Sequence, residues 1–111
     1  MVREPRFREL LAQGFQAEVV CQVDAFKKVA AWHGEWIVRA VNGDTGEEFI
    51  LVVSRRAAGG PDEILVRVFK TLNGLISFFN DIGFFNIYVP LRKGGRCLQN
   101  ATDGSAEESK G

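Results

Sequence analysis

The chain is poor in residues that perform chemistry on their own, with one histidine, His33, and two cysteines, Cys21 and Cys97, in 111 residues. Nucleophilic catalysis wants a Ser, Cys or Thr with a base beside it, and a lone histidine leaves little from which to build one. The cysteines lie far apart, so they supply neither a disulfide framework nor the close spacing of a zinc site, and both read as reduced structural thiols. No stretch approaches the roughly 18 apolar residues of a membrane-spanning helix. Met1 to Arg8 mixes Arg3, Glu4, Arg6 and Arg8 with no apolar run behind it, which gives no signal peptide. The expectation is a cytoplasmic protein without a membrane partner.

An excess of either charge is missing too, since Lys plus Arg and Asp plus Glu number 14 each. The stretch from Ala101 to Gly111 sets Asp103, Glu107 and Glu108 against Lys110, which leaves the rest of the chain only slightly positive. That is too little for the basic signature of a strong duplex binder. Glycine is plentiful, but Gly59-Gly60 and Gly94-Gly95 do not lead from a strand into a helix with phosphate-loop spacing, and no dinucleotide fingerprint occurs. The adjacent acids Glu47-Glu48 and Asp62-Glu63 point to opposite faces of a strand, so neither pair converges on one substrate. His33, within reach of Glu35 or Asp24 in Trp32-His33-Gly34-Glu35-Trp36, reads as a loop histidine between two core tryptophans. No catalytic residue, metal or cofactor is expected, and the chain reads as non-enzymatic.

What is present is the balance of a globular domain, with 46% apolar and 25% charged residues. Pro5 to Gln13 reads as a short helix, with Phe7, Leu10 and Leu11 on one face and Gly14 at its end. Phe15, Ala17, Val19, Cys21 and Val23 then alternate with polar residues as a half-buried strand, in which Val20 is the exception. Asp24 to Gly34 has no assignment. Glu35–Val41 and Glu47–Ser54 read as strands joined by Asn42-Gly43-Asp44-Thr45-Gly46, a dense turn signal, and Glu63–Phe69 alternates again after Ala57–Asp62. Thr71 caps a helix carrying Leu72, Leu75, Ile76, Phe79 and Ile82 on one face, with Gly83 at its end and Phe78 widening the stripe. Phe84–Val89 reads as a last strand closed by Pro90.

The expected fold is therefore α+β: a four- to five-stranded antiparallel meander packed by one C-terminal amphipathic helix, with a short N-terminal helix and a final strand. The domain is expected over residues 1–91, followed by a flexible polar and acidic tail over 92–111.

Two residue sets are candidates for binding. Arg39, Arg55, Arg56, Arg67 and Lys70 with Trp36 have the cation-plus-aromatic composition used on single-stranded nucleic acid, provided the arginines share a sheet face. Lys27-Lys28, Arg92-Lys93, Arg96, Trp32, Phe69 and Tyr88 belong to the same inventory. Phe78, Phe79, Phe84 and Phe85 form an aromatic cluster of the kind that marks a subunit interface, which makes a homodimer the expected assembly. Nucleic acid, single-stranded before duplex, is the expected partner. The alternative is a protein-protein adaptor.

The run Phe49-Ile50-Leu51-Val52-Val53-Ser54-Arg55-Arg56, then Arg67-Val68-Phe69-Lys70-Thr71-Leu72-Asn73-Gly74-Leu75 and Phe78-Phe79-Asn80-Asp81-Ile82-Gly83, resembles small plasmid and mobile-element proteins of proteobacteria, including the ParC-like partition-associated group. The resemblance covers roughly residues 35 to 90. It implies an accessory protein of plasmid maintenance acting through DNA or a partner protein. Four meandering strands followed by a helix also resemble the architecture of positive-cofactor-4-like single-strand-binding dimers, an analogy of fold alone.

Overall fold

The computed structural model describes residues 1–56 and 58–99, with Arg56 described by its backbone alone. Along the chain run α1 (Glu4–Ala12), β1 (Gln16–Lys28), β2 (Ala31–Val41), β3 (Glu48–Ile50), β4 (Val52–Arg56), β5 (Asp62–Val66), β6 (Phe69–Thr71), α2 (Leu72–Asp81) and β7 (Arg96–Gln99). The fold is α+β, as the alternation of strand and helix signals implies.

β2 is the hub of the main sheet. β1 pairs along one of its edges, and the other edge is shared between β3, with Arg39 opposite Ile50, and β6, with Trp36 opposite Phe69. The sheet order is β3-β2-β1-β7, and β4 with β5 forms a separate two-stranded ribbon. Every pairing between these strands is antiparallel. One sheet face is covered by the helices: Phe7 and Leu10 of α1 and Leu75, Phe78 and Phe79 of α2 pack with Ala17, Val19, Cys21, Trp36, Val38 and Ala40. Edge-on and tilted aromatic contacts run from Phe7 and Phe69 through Phe78 and Phe79 to Phe84. α2 starts where Thr71 Oγ1 accepts the Gly74 amide at 3.0 Å, the capping that the sequence signals.

Four expectations need correction. Phe84–Val89 is not a strand. Phe84 turns inward onto Phe79, and Ile87 and Val89 pack on the core. The buried Gln99 side chain then stands in for a neighbouring strand, accepting the Tyr88 amide at 2.7 Å and donating to the Tyr88 carbonyl at 2.6 Å. The final strand lies later, at β7, so the domain does not stop near residue 92. Residues 92–99 belong to the fold, while the acidic stretch 101–111 lies outside the described residues.

The third difference is β1, which runs on to Lys28 through the stretch left unassigned. Register shifts between Cys21 and Val23 and between Val23 and Phe26 mark bulges that break the period of two. The residues 91–95 bind this irregular edge: the Gly94 amide meets the Cys21 carbonyl at 2.8 Å and the Ala25 amide meets the Leu91 carbonyl at 2.8 Å. The fourth is Glu47–Ser54, which divides at Leu51. That buried residue donates to the Val38 carbonyl while its neighbour Val52 turns to the Val2 carbonyl, so the chain leaves the sheet there.

Cys21 is buried in the core, and burial pushes its thiol up from the ordinary value, so it stays protonated at neutral pH. Among the described residues no helix is long and apolar enough to cross a membrane.

Candidate nucleic-acid interface

The basic residues singled out by sequence do not converge. Arg39 lies on the sheet face away from the helices, but its guanidinium is held by the Glu18 carboxylate and by Glu48 Oε1 at 2.8 Å, so two acids more than cancel it. Glu18 is itself nearly buried, and removing Arg39 would strand that charge at a cost of about 3 kcal/mol. Arg67 is elsewhere, lying 4.8 Å over the Phe69 ring and 4.9 Å over the Phe78 ring, with Glu4 at 3.5 Å. It fastens α1 to the core. Arg55 and Arg56 stand on β4 opposite Glu63 and Asp62. Trp36 is fully buried and donates its indole N–H to the Pro90 carbonyl at 2.8 Å, so it presents no face to a base. Lys70, on β6 beside β2, is exposed, as is Arg55.

The aromatic set divides in the same way. Phe78, Phe79 and Phe84 are core residues, whereas Phe85 is 86% exposed. Three of the four are spent on the monomer's interior, because α2 packs its wide apolar stripe onto the sheet rather than presenting it.

A different cation-and-aromatic group stands within residues 24–34, the stretch without a sequence assignment. Beyond Phe26 and His33 the β1–β2 ladder continues as a two-stranded arm, pairing Lys27 with Trp32 and Lys28 with Ala31 around a two-residue turn, Val29-Ala30. At the strand rise of ~3.4 Å per residue the arm reaches about 10 Å past its last flanking strand. Alternation fixes its two faces. Phe26 stacks on His33 with ring centroids 5.6 Å apart, on the same face as Lys28. Trp32 and Lys27 share the other face, and Trp32 opens with Ala30, Ala31, Thr71, Leu72 and Ile76 onto a cleft of 480 Å³ above the first turn of α2.

Phe26 is 49% exposed, Trp32 41% and Val29 95%, and both lysines are exposed. Arg92 and Lys93 lie at the base of the arm, where the Lys93 amide binds the Asp24 carboxylate at 2.6 Å. The arm thus offers ammonium groups for phosphates and ring faces for bases, at a place no acid but Asp24 and Glu35 adjoins in sequence. Val29 carries a φ of +60°. Primed hairpin turns take glycine or asparagine there, and a β-branched residue pays strain of order 1–3 kcal/mol.

The signals that would have found this site were Lys27-Lys28 and Trp32, both visible in the sequence, but the bulges hid the strand that aligns them. Among the described residues no group of three His, Cys, Asp or Glu side chains is placed to hold a metal ion. No family model, curated protein or solved structure matches the chain.

Proposed function

We propose that this chain is a non-enzymatic, cytoplasmic nucleic-acid-binding domain that takes single strands on the arm formed by residues 26–33. The observation that carries the reading is the pairing of Lys27 with Trp32 and of Lys28 with Ala31, next to the stacked Phe26 and His33, on a ribbon that runs on past its last flanking strand, β6, at His33. Stacking of a base on an aromatic ring is worth about 1–3 kcal/mol and tolerates any sequence, and the lysines supply the phosphate contacts. A bacterial plasmid or mobile element as its setting rests on the resemblance of residues 35 to 90 alone.

The test is titration of labelled single-stranded and duplex DNA at low and moderate salt. Single strands should bind more tightly, and their log affinity should fall with log salt at a slope of about −0.7 for each phosphate neutralised. Absence of binding at low salt would sink the reading. A protein-protein adaptor is the second reading, favoured by the ion pairing that withdraws Arg39 and Arg67 from any shared basic face.

A further inference from the structure

We propose that β5 is a dimerisation edge, on which a second copy of this chain adds its own β5 antiparallel across a two-fold axis at Ile64. Backbone directions leave one edge of β5 open. The Arg67 amide donates to the Leu51 carbonyl at 3.0 Å, which fixes the alternation of the β4–β5 ladder. Residues 63 and 65 exchange hydrogen bonds with β4, while Val52, one step out of phase, turns its amide away from β5 to the Val2 carbonyl at 2.8 Å. By the same alternation Ile64 and Val66, the partners of Ser54 and Val52, direct their N–H and C=O groups away from β4. Among the described residues no strand pairs along that outer edge.

The side chains on this edge are apolar and half in water. Ile64, Leu65 and Val66 are each exposed, although the start of α1, through Pro5 and Arg6, lines an open cleft with Val52 and Ile64 on one face of the ribbon. An uncovered apolar edge invites another strand unless charge, proline or a bulge blunts it, and these three residues carry none of those devices.

A second copy fits through its charge. Centring the pair on Ile64 brings two outward-facing residues together, so Ile64 exchanges both backbone hydrogen bonds with the partner's Ile64. Glu63 then faces the partner's Leu65 and lies diagonal to the partner's Arg67, on the same sheet face. Diagonal Cβ atoms are about 7–8 Å apart, within reach of long side chains. Arg67 is a third exposed even while it holds Glu4, so it can take this second carboxylate. The two-fold repeats the ion pair. Sliding the register by two residues toward the turn would instead set Glu63 against the partner's Glu63, like charges directly opposed. The surface is distinct from Phe78, Phe79 and Phe84, which are consumed in the core, and it leaves both arms free.

Light scattering across a concentration series, with three variants, tests the proposal. The wild-type chain should approach two chains per particle. Ile64→Pro removes an N–H that points outward, so circular dichroism should keep the folded spectrum while the particle falls to one chain. In a Cys97→Ser background, Ile64→Cys should cross-link to a covalent dimer under mild oxidation, because the residue meets its own copy, and Leu65→Cys should not. A wild-type particle that stays at one chain, or a dimer that survives Ile64→Pro, would overturn it, as would equal cross-linking of the two cysteine variants.

Discussion

The main ladder turns at both of its ends, and the two turns are built on opposite terms. At one end, between β2 and β3, Asn42 Oδ1 accepts the Asp44 amide at 2.9 Å and the Thr45 amide at 3.3 Å, and Gly46 takes the positive φ of +78°. Local side chains and a glycine make that turn, and Asp44 and Glu47 surround it with negative charge. At the other end, Val29-Ala30 contains neither glycine nor a side-chain acceptor, and cross-strand pairing of Lys28 with Ala31 holds it closed. The first end is held by local hydrogen bonds, and the second leaves lysines and rings exposed around a strained turn.

Five variants separate the ends, beginning with the largest effect. Reversing both arm lysines, Lys27→Glu with Lys28→Glu, should weaken single-strand binding by about 100-fold or more, while Asp44→Lys with Glu47→Lys at the opposite end should not weaken it; fluorescence anisotropy reads both. Trp32→Ala should lose roughly tenfold in affinity, in line with one stacking contact, and leave the urea midpoint nearly unchanged. A tenfold loss accompanied by unfolding would mean the ring is structural.

Asn42→Ala should do the reverse, costing about 1 kcal/mol of stability through two lost amide acceptances and leaving affinity alone. The smallest change is the most diagnostic of the arm. Val29→Gly relieves the backbone but adds chain entropy, so the net gain should be up to about 1 kcal/mol, seen as a melting temperature higher by roughly 5 °C. A loss of stability would show that the turn is not strained.

The same contrast explains what the sequence made legible. The Asn42–Gly46 turn, the Thr71 cap and the helix stripe through Leu75 and Phe79 were readable because each rests on local chemistry. The α+β class follows from these alone. Phe84–Val89 looked like a strand because its residues favour one, but its apolar side chains were claimed by the core and its backbone by Gln99, seventeen residues beyond Ile82 in the chain and beyond any local rule.

The site was harder for a related reason. Arg39, Arg67 and Trp36 carried the right residue types, and what disqualified them was pairing with Glu18, Glu48, Glu4 and Pro90, distant in sequence and close in space. Two bulges in β1 hid the register that sets Lys27 against Trp32. Composition supplied the residue types, and long-range contacts decided which of them stay exposed.

Amide chemical shifts, followed as a short oligothymidylate is added at low salt, test the account most directly. Binding on the arm predicts that the largest shifts fall on Phe26 to His33 and on the indole N–H of Trp32, while Asn42 to Glu47 and the buried Trp36 indole stay in place. Shifts centred on Arg39, Arg55 or the Asn42 turn, or none at all, would contradict it.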